Sequence, residues 1–408
     1  MSITERFIKY VQIDTQSDLH SSEIPSTKKQ RNLANLLVEE LLDMGIEDAH
    51  CDAFGVVYGS IPKNTFKEVE AIGFIAHMDT SPDMVGKDVK PRIIKNYDGK
   101  EIVLNKDLNI TMTPQQFEHL KSAIGKDLIV TDGTTLLGAD DKAGVAEIME
   151  MCKYLCAHPN VEHGPIKIAF TPDEEVGRGA DNFDNKKFDA AYAYTVDGSE
   201  IESVDYENFN AATAEIKIQG SSIHPGDAKD KLINASKLAM EFHSLLPIEL
   251  DPAKTSGYEG FNHLTYLNGQ AENASMEYII RNHDRRLFEK QKTEFLQAQK
   301  IMNEKYGKVV EVTITDSYYN MAELVMKRMD IVDDVKAIMK EMGLQPKSTP
   351  IRGGTDGARL TYDGLLCPNL GTGGANFHGK YEYACIQDME KMVEILINIV
   401  KNKVKSFV

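Results

Sequence analysis

The residues best suited to chemistry at the start of the chain are His77 and Asp79, which follow a short apolar run at 71–76. The run has the length of a strand and the apolar character of one buried inside a sheet. Pro82 then prevents a central strand from continuing. A histidine and a carboxylate therefore leave the carboxyl end of a buried strand together, where open α/β sheets collect ligands and catalytic groups. Taken alone, His77 fits a core histidine beside a turn aspartate better, so the later segments decide.

Those later segments repeat the arrangement of acidic residues after apolar runs. A strand-like run at 128–133, expected in the same sheet, leads into a Gly-rich turn at 133–144 that opens a helix. Runs at 166–171 and 190–196 end in acidic residues, and a last Gly-rich loop at 369–382 carries a histidine. We expect the following side chains to meet at one rim of one sheet: His77, Asp79, Asp140, Asp141, Asp173, Glu174, Glu175, Asp197 and His378.

So many carboxylates would repel one another unless a cation lay among them. Imidazole and carboxylate without thiolate suit Zn²⁺, with Mn²⁺ or Co²⁺ as substitutes. The set is large enough for two ions that share one bridging carboxylate. The adjacent Glu174 and Glu175 could divide two tasks, one binding metal while the other accepts and returns a proton. Spacing alone does not decide which residue has which task.

The elements that must position these residues alternate between strand and helix. This order predicts an α/β fold with a doubly wound, mostly parallel sheet. A helix is expected at 27–44, where Thr27 and Gln30 could form a capping box. The polar stretch at 81–125 has little periodicity and resembles an insertion over the surface.

A second domain is expected within the first. From about residue 211 the order of predicted elements is β-α-β-β-α-β, which is a self-contained ferredoxin-like unit. We therefore expect an inserted α+β lid domain at 208–319 and a discontinuous catalytic domain at 1–207 and 320–408.

Composition restricts the partners and the compartment. Lys plus Arg total 46 against 63 Asp plus Glu, a net charge of −17, which argues against a nucleic-acid partner. The first residues are too charged for a signal peptide, and no run is long enough to span a bilayer, so no membrane partner is expected. Five cysteines form neither a CxxC pair nor an even framework, which favours reduced thiols and a cytoplasmic location.

Six motifs together resemble those of the co-catalytic di-zinc exopeptidases, a family that includes carboxypeptidases and dipeptidases. They are HMDTSPD, GADDKAG, TPDEEVGRGA, VDG, RGGTDGA and NFHGKYE, in the family's order. The resemblance implies one zinc on His77 and Asp197, a second on Glu175 and His378, and Asp140 bridging both. It implies that Asp79 orients His77 and that Glu174 is the general base for a zinc-bridged water.

The resemblance also suggests residues that contact the substrate. His224 matches a lid histidine that stabilises the oxyanion, and Arg352 matches an arginine that binds a substrate carboxylate. Arg281 and Asn282 are further candidates for substrate binding. The implied activity is zinc-dependent removal of the amino-terminal residue from tripeptides, a small-peptide substrate, by an enzyme that could form a homodimer through its lid.

Three alternatives remain beside this interpretation. The segment 374–380 has the GxxxxGK spacing of a phosphate-binding loop, but Tyr381 replaces the Ser or Thr that would hold Mg²⁺, which argues against an ATPase. A non-catalytic metal-binding scaffold would not need Glu174 beside Glu175. A dipeptidase, a carboxypeptidase or an N-acyl amino-acid hydrolase of the same family would use the same metals.

Overall fold

The computed structural model describes residues 1–405 of the 408 and divides them into two compact units. The first unit contains Met1–Tyr206, Leu324–Thr349 and Thr355 onward. The second contains Glu207–Glu323 and Pro350–Gly354. None of the helices within residues 1–405 combines the length and the apolar character that a bilayer crossing requires.

The strands are, in chain order, β1 (His50–Cys51), β2 (Val57–Ile61), β3 (Ile72–His77), β4 (Arg92–Ile94), β5 (Ile102–Asn105), β6 (Ile110–Met112), β7 (Leu128–Val130), β8 (Ile166–Thr171), β9 (Tyr192–Gly198), β10 (Val204–Asp205), β11 (Asn210–Gln219), β12 (Phe261–Gly269), β13 (Asn273–Asn282), β14 (Val310–Tyr318), β15 (Asn369–Gly371), β16 (Gly374–Ala375) and β17 (Tyr383–Cys385). The α-helices are α1 (Ile3–Val11), α2 (Gln30–Asp43), α3 (Ala139–Ala157), α4 (Asn185–Phe188), α5 (Ala235–Ser244), α6 (Arg285–Tyr306), α7 (Ala322–Val325), α8 (Asp330–Glu341), α9 (Asp356–Tyr362) and α10 (Ile386–Lys405).

A seven-stranded sheet forms the centre of the first unit. Its order is β1-β2-β8-β3-β9-β15-β10, and the four middle strands β8, β3, β9 and β15 run parallel. All six residues of β3 are buried, as expected for a strand that helices cover on both faces. The predicted α/β fold with a mostly parallel sheet is confirmed.

Helix α3 packs against β3 and β9, and this close contact places its first turn beside the ends of those strands. Gly144 makes the approach possible. A Cβ atom at this position would lie 1.8 Å from the Val196 carbonyl oxygen, so only glycine fits. The acidic first turn of α3 is therefore held next to Asp197, the residue after Val196.

Two sequence-based expectations about this unit are wrong. The run at 128–133 does not join the central sheet: β7 lies in a four-stranded antiparallel sheet ordered β16-β17-β7-β4. The stretch at 81–125 is more than a surface insertion, because it forms β4, β5 and β6 and contributes buried residues such as Tyr97 and Met112 to an apolar cluster with β7 and β17. Its strands are only three or four residues long, too short to show a period in the sequence.

The capping box expected at Thr27 and Gln30 is also absent. Helix α2 begins at Gln30, and Lys29 precedes it without a side-chain cap. The two polar side chains bind other segments instead: Thr27 donates to the Gln16 carbonyl at 2.8 Å, and Gln30 donates to Asp173 at 2.7 Å.

The second unit is a four-stranded antiparallel sheet with two long helices. The sheet order is β12-β13-β11-β14, and the chain order β11-α5-β12-β13-α6-β14 is the expected β-α-β-β-α-β. Strand β11 alternates buried and exposed residues along its second half, and its inward side chains pack with Phe242, Phe288 and Phe295 of the helices. This amphipathic pattern gives the unit an apolar core of its own.

Candidate metal centre

His77 lies at the end of β3 with acidic groups around its ring. Its Nε2 atom is 2.9 Å from Asp140 Oδ1 and 3.4 Å from Asp197 Oδ1. Its Nδ1 atom faces the other way, 3.3 Å from Asp79 Oδ1. Its backbone N–H donates to Asp141 at 3.2 Å. We call His77, Asp79 and Asp197 the buried half of the centre.

His378 has a similar arrangement on the other side of Asp140. Its Nε2 atom lies 2.9 Å from Glu175 Oε2 and 3.3 Å from Asp140 Oδ2, and its Nδ1 atom lies 3.3 Å from Asp83 Oδ2. We call Glu175, His378 and Asp83 the exposed half, because the side chains of His378 and Asp83 are open to solvent while that of Glu175 is buried. The two carboxylate oxygens of Asp140 therefore face different halves, which is the arrangement that a bridging ligand requires.

The donor atoms fit metal ions. Two groups, His77 with Asp141 and Asp197, and His77 with Asp140 and Glu175, bring one donor atom each to within 4.8 Å of one another. In a tetrahedral zinc site, with bonds of about 2.1 Å, neighbouring donor atoms lie roughly 3.4 Å apart, close to the separations found here. Glu175 Oε1 is buried and has no hydrogen-bond partner among the described residues. A cation would satisfy that oxygen, and a dinuclear centre fits this donor set.

The histidines carry strongly raised pKa values without metal. Burial alone would lower the pKa of His77, but the Asp197 charge and the bonds to Asp140 and Asp197 raise it well above its usual range. Hydrogen bonds to Asp140 and Glu175 raise the pKa of His378 to about 11. The pocket therefore holds protons where a metal would place positive charge, and metal binding must release them.

The carboxyl groups respond to the same surroundings. Burial raises the pKa of Glu175 to about 8 and that of Asp197 to about 6. Burial would also raise the pKa of Asp140, but the hydrogen bonds from His378 and His77 lower it below its usual value. Burial raises the pKa of Glu174 well above its usual range, as expected for a carboxyl group that takes up a proton.

Asp79 fixes the two glutamates as well as the His77 ring. Its Oδ1 accepts the backbone N–H of Glu174 at 3.0 Å, and its Oδ2 accepts that of Glu175 at 3.2 Å. Both glutamates lie in a single helical turn, Glu174–Val176, that follows β8. This fully buried carboxylate thus joins the ends of β3 and β8.

Asp140 reaches the centre from the turn that opens α3 rather than from a strand of the central sheet. The backbone of Asp140 and Asp141 is not helical there, and the peptide bond between them is cis. The expectation that all the acidic groups follow consecutive strands of one sheet is therefore wrong. The preceding strand, β7, belongs to the smaller sheet.

Sequence reasoning assigned no role to Glu382, which is fully buried beside this turn. Its Oε2 accepts the backbone N–H groups of Leu137 at 2.6 Å and Gly138 at 2.8 Å, and its Oε1 accepts that of Asp140 at 3.1 Å. Gly138 has φ +84°, which favours glycine. The only signal in the sequence is that Glu382 follows His378 by four residues.

The second unit contains the remaining candidates. His224 has an exposed ring whose Nδ1 accepts the Gly226 N–H at 3.1 Å. Arg352 donates to the carbonyl oxygens of Gly257 at 2.7 Å and Glu259 at 3.2 Å, and to Thr255 Oγ1 at 3.0 Å. Three of the five guanidinium N–H groups are used in this way.

Arg281 and Asn282 are bonded within the second unit. The Arg281 guanidinium lies 5.3 Å from the centre of the Tyr318 ring and donates to the Ile280 carbonyl at 3.1 Å. Asn282 is buried, its amide donating to Gln291 at 2.6 Å and accepting from the Asp284 N–H at 3.0 Å. The structure thus gives the Asn282 amide a role in the framework of this unit.

The segment 374–380 does not have the surroundings of a phosphate-binding loop. Such a loop follows a strand and opens a helix. Here the segment begins with the two residues of β16, the next strand is β17 and no helix opens within it, and its His378 points at Asp140 and Glu175.

Comparison with known proteins identifies the family of this chain. The model of peptidase family M20/M25/M40 matches residues 132–402. A protein named peptidase T from Alkaliphilus oremlandii is 52% identical over 403 residues, which is 98% of either chain.

The chain belongs to peptidase family M20/M25/M40.

Two solved structures share the fold along nearly the whole chain. Aminopeptidase PepT from Bacillus cereus has a TM-score of 0.76 at 22% identity and covers 98% of both chains. A tripeptidase from Staphylococcus aureus has a TM-score of 0.79 at 21% identity and covers 99% of this chain and 98% of its own. The predicted resemblance to the exopeptidase family is confirmed, and the chain is a hydrolase that acts on peptide bonds.

Proposed function

We propose that this chain is a zinc aminopeptidase that releases the amino-terminal residue of tripeptides. The observation that carries the proposal is the position of Asp140, whose two oxygens face His77 at 2.9 Å and His378 at 3.3 Å. The peptidase T relative, similar along 98% of both chains, supports the same activity.

Each residue of the centre has a distinct task in this proposal. His77 and Asp197 would hold one zinc ion, Glu175 and His378 the other, and Asp140 both. Two zinc ions would supply a Lewis acid for the scissile carbonyl and lower the pKa of water.

Glu174 is the proton carrier. In the structure the His378 ring contacts Glu175 and not Glu174. Asp79 accepts the backbone N–H of Glu174, and burial raises the pKa of the Glu174 carboxyl group. Its carboxylate would take a proton from the water as the water oxygen bonds to the carbonyl carbon. It would return the proton to the amine nitrogen as the C–N bond breaks.

Residues of the second unit would complete substrate recognition. We propose that His224 donates a hydrogen bond to the oxyanion and that Arg352 binds the substrate carboxylate with the N–H groups that Thr255, Gly257 and Glu259 do not use. Arg281 is a further proposed contact.

The test is hydrolysis of a tripeptide by chelator-treated protein before and after Zn²⁺ is restored. We expect activity to return only with metal, to release the amino-terminal residue and to be blocked by N-acylation of the substrate. Glu174→Gln should keep both ions and lose turnover, and retained turnover would refute its role. A preference for dipeptides or N-acylated substrates would instead indicate a dipeptidase, a carboxypeptidase or an N-acyl amino-acid hydrolase.

The proposal includes a cytoplasmic location and a homodimer formed through the second unit. The five cysteines lie within the described residues and form no disulfide, which suits a reducing compartment. Strand β12 is an edge of its sheet and exposes Tyr266 and Leu267, so it could pair with a second copy. A monomer in analytical ultracentrifugation would refute the dimer. The net charge of −17 fits the absence of a nucleic-acid partner from this proposal.

A further inference from the structure

We propose that Asp83 is a positioning residue that fixes the tautomer and orientation of His378 for metal binding. The proposal rests on the proposed metal centre and extends it to a residue outside the ligand set. Asp83 lies on the loop after β3, and its Oδ2 is 3.3 Å from His378 Nδ1.

The chemistry of imidazole makes this contact useful. A neutral ring has one N–H and one lone pair, and only the nitrogen with the lone pair can bind metal. His378 Nε2 points at Glu175 and Asp140, so Nδ1 must carry the proton. A carboxylate at Nδ1 accepts that proton in a hydrogen bond and makes the ring a better donor, as carboxylate–histidine pairs do in other zinc sites.

The buried half shows the same arrangement. His77 directs Nε2 at Asp140 and Asp197 and Nδ1 at Asp79, at 3.3 Å. Both histidines therefore stand between a metal-side carboxylate and an outer carboxylate. Asp79 and Asp83 come from the same motif, HMDTSPD, four residues apart on the two sides of Pro82.

The two outer carboxylates differ in how many contacts hold them. Asp79 is fully buried and bonded to two backbone N–H groups. The side chain of Asp83 is 68% exposed. Substitution of Asp83 should therefore change metal binding without changing the stability of the fold.

The test compares Asp83→Asn and Asp83→Ala with Asp88→Asn, a control at an exposed aspartate on the same loop. Chelator-treated proteins are titrated with Co²⁺ alone, and the visible absorption of bound cobalt is followed. We expect the wild type and the control to bind two ions. In the Asp83 variants one of the two ions should bind about 10-fold more weakly, with alanine affected more than asparagine.

A second readout reports on the ring itself. ¹⁵N NMR of the proteins loaded with diamagnetic Zn²⁺ should show an Nδ1–H signal of His378. This signal should shift in the Asp83 variants and not in the control. If the wild type binds two ions and both Asp83 variants match it in affinity and in spectrum, the role of Asp83 is refuted. If the wild type does not bind two ions, the metal centre itself is refuted. Equal thermal stability of all the metal-free proteins would show that any loss of affinity is local.

Discussion

The two halves of the metal centre use the same chemistry in different surroundings. In the buried half the side chains of His77 and Asp79 are 2% and 0% exposed, whereas those of His378 and Asp83 are 41% and 68% exposed. The buried half joins the ends of β3, β8 and β9, so folding itself positions it. In the exposed half, His378 and Asp83 lie on loops and depend on contacts between side chains. The difference indicates that one half supplies rigidity and the other gives access to solvent and substrate.

The largest expected effect comes from Asp140, the residue that both halves share. In Asp140→Asn an amide replaces the carboxylate, one of its two donor atoms becomes N–H₂, and it cannot bridge two cations. We expect loss of both ions and a fall in activity of more than about 100-fold. This exceeds the loss of about 10- to 100-fold that is typical when a residue bonded to a metal ligand is replaced. Metal content after dialysis and tripeptide turnover measure it, with the exposed Asp107→Asn as control. Retention of two ions would contradict the bridging role.

Asp79→Asn tests the rigidity of the buried half. The amide would place N–H₂ against one of the backbone N–H groups of Glu174 and Glu175, so a buried donor loses its acceptor. The free energy of unfolding of the metal-free protein should fall by about 2–3 kcal/mol. Urea denaturation of this variant beside Asp83→Asn is the measurement. Equal stabilities of the two variants would mean that Asp79 does not hold the buried half more rigidly than Asp83 holds the exposed half.

The contrast also explains how much the sequence could predict. His77 and Asp197 lie at the ends of buried strands and Asp79 follows one. A strand end is visible in a sequence as an apolar run that stops. Asp140 was found as an acidic residue in a Gly-rich turn, but its strand was placed in the wrong sheet, because β7 is three residues long and gives no sign of its partners. Glu382 and Asp83 act through contacts across 242 and 295 residues of sequence, and no local pattern indicates such contacts.

Glu382→Gln tests the connection between the His378 loop and the turn that carries Asp140. Glutamine keeps one oxygen for Leu137 and Gly138 but loses the acceptor for the Asp140 N–H. We expect a loss of about 1–2 kcal/mol of unfolding free energy and weaker binding of both ions, since Asp140 contacts both. The exposed Glu101→Gln is the matched control. Weaker binding of only one ion would indicate that Glu382 supports the His378 loop alone.

The last expected effect is a pH dependence of the stability of the metal-free protein. Burial raises the pKa of Glu175 to about 8 and that of Asp197 to about 6, whereas the unfolded chain releases these protons near pH 4. The folded state therefore binds more protons between about pH 5 and pH 7, and stability must fall as the pH rises through that range. Lys142 has the opposite sign, because burial lowers its pKa to about 7 and its contribution to stability grows only above that pH.

Melting of chelator-treated protein at pH 5 and pH 7 measures this slope, with Glu175→Gln as the variant that lacks one of the titrating groups. The variant should lose less stability over the interval than the wild type. Saturating Zn²⁺ should reverse the trend, because metal binds the deprotonated ligands and its affinity grows with pH. A wild-type slope no steeper than that of Glu175→Gln would mean that the exposed half does not bind protons in place of metal.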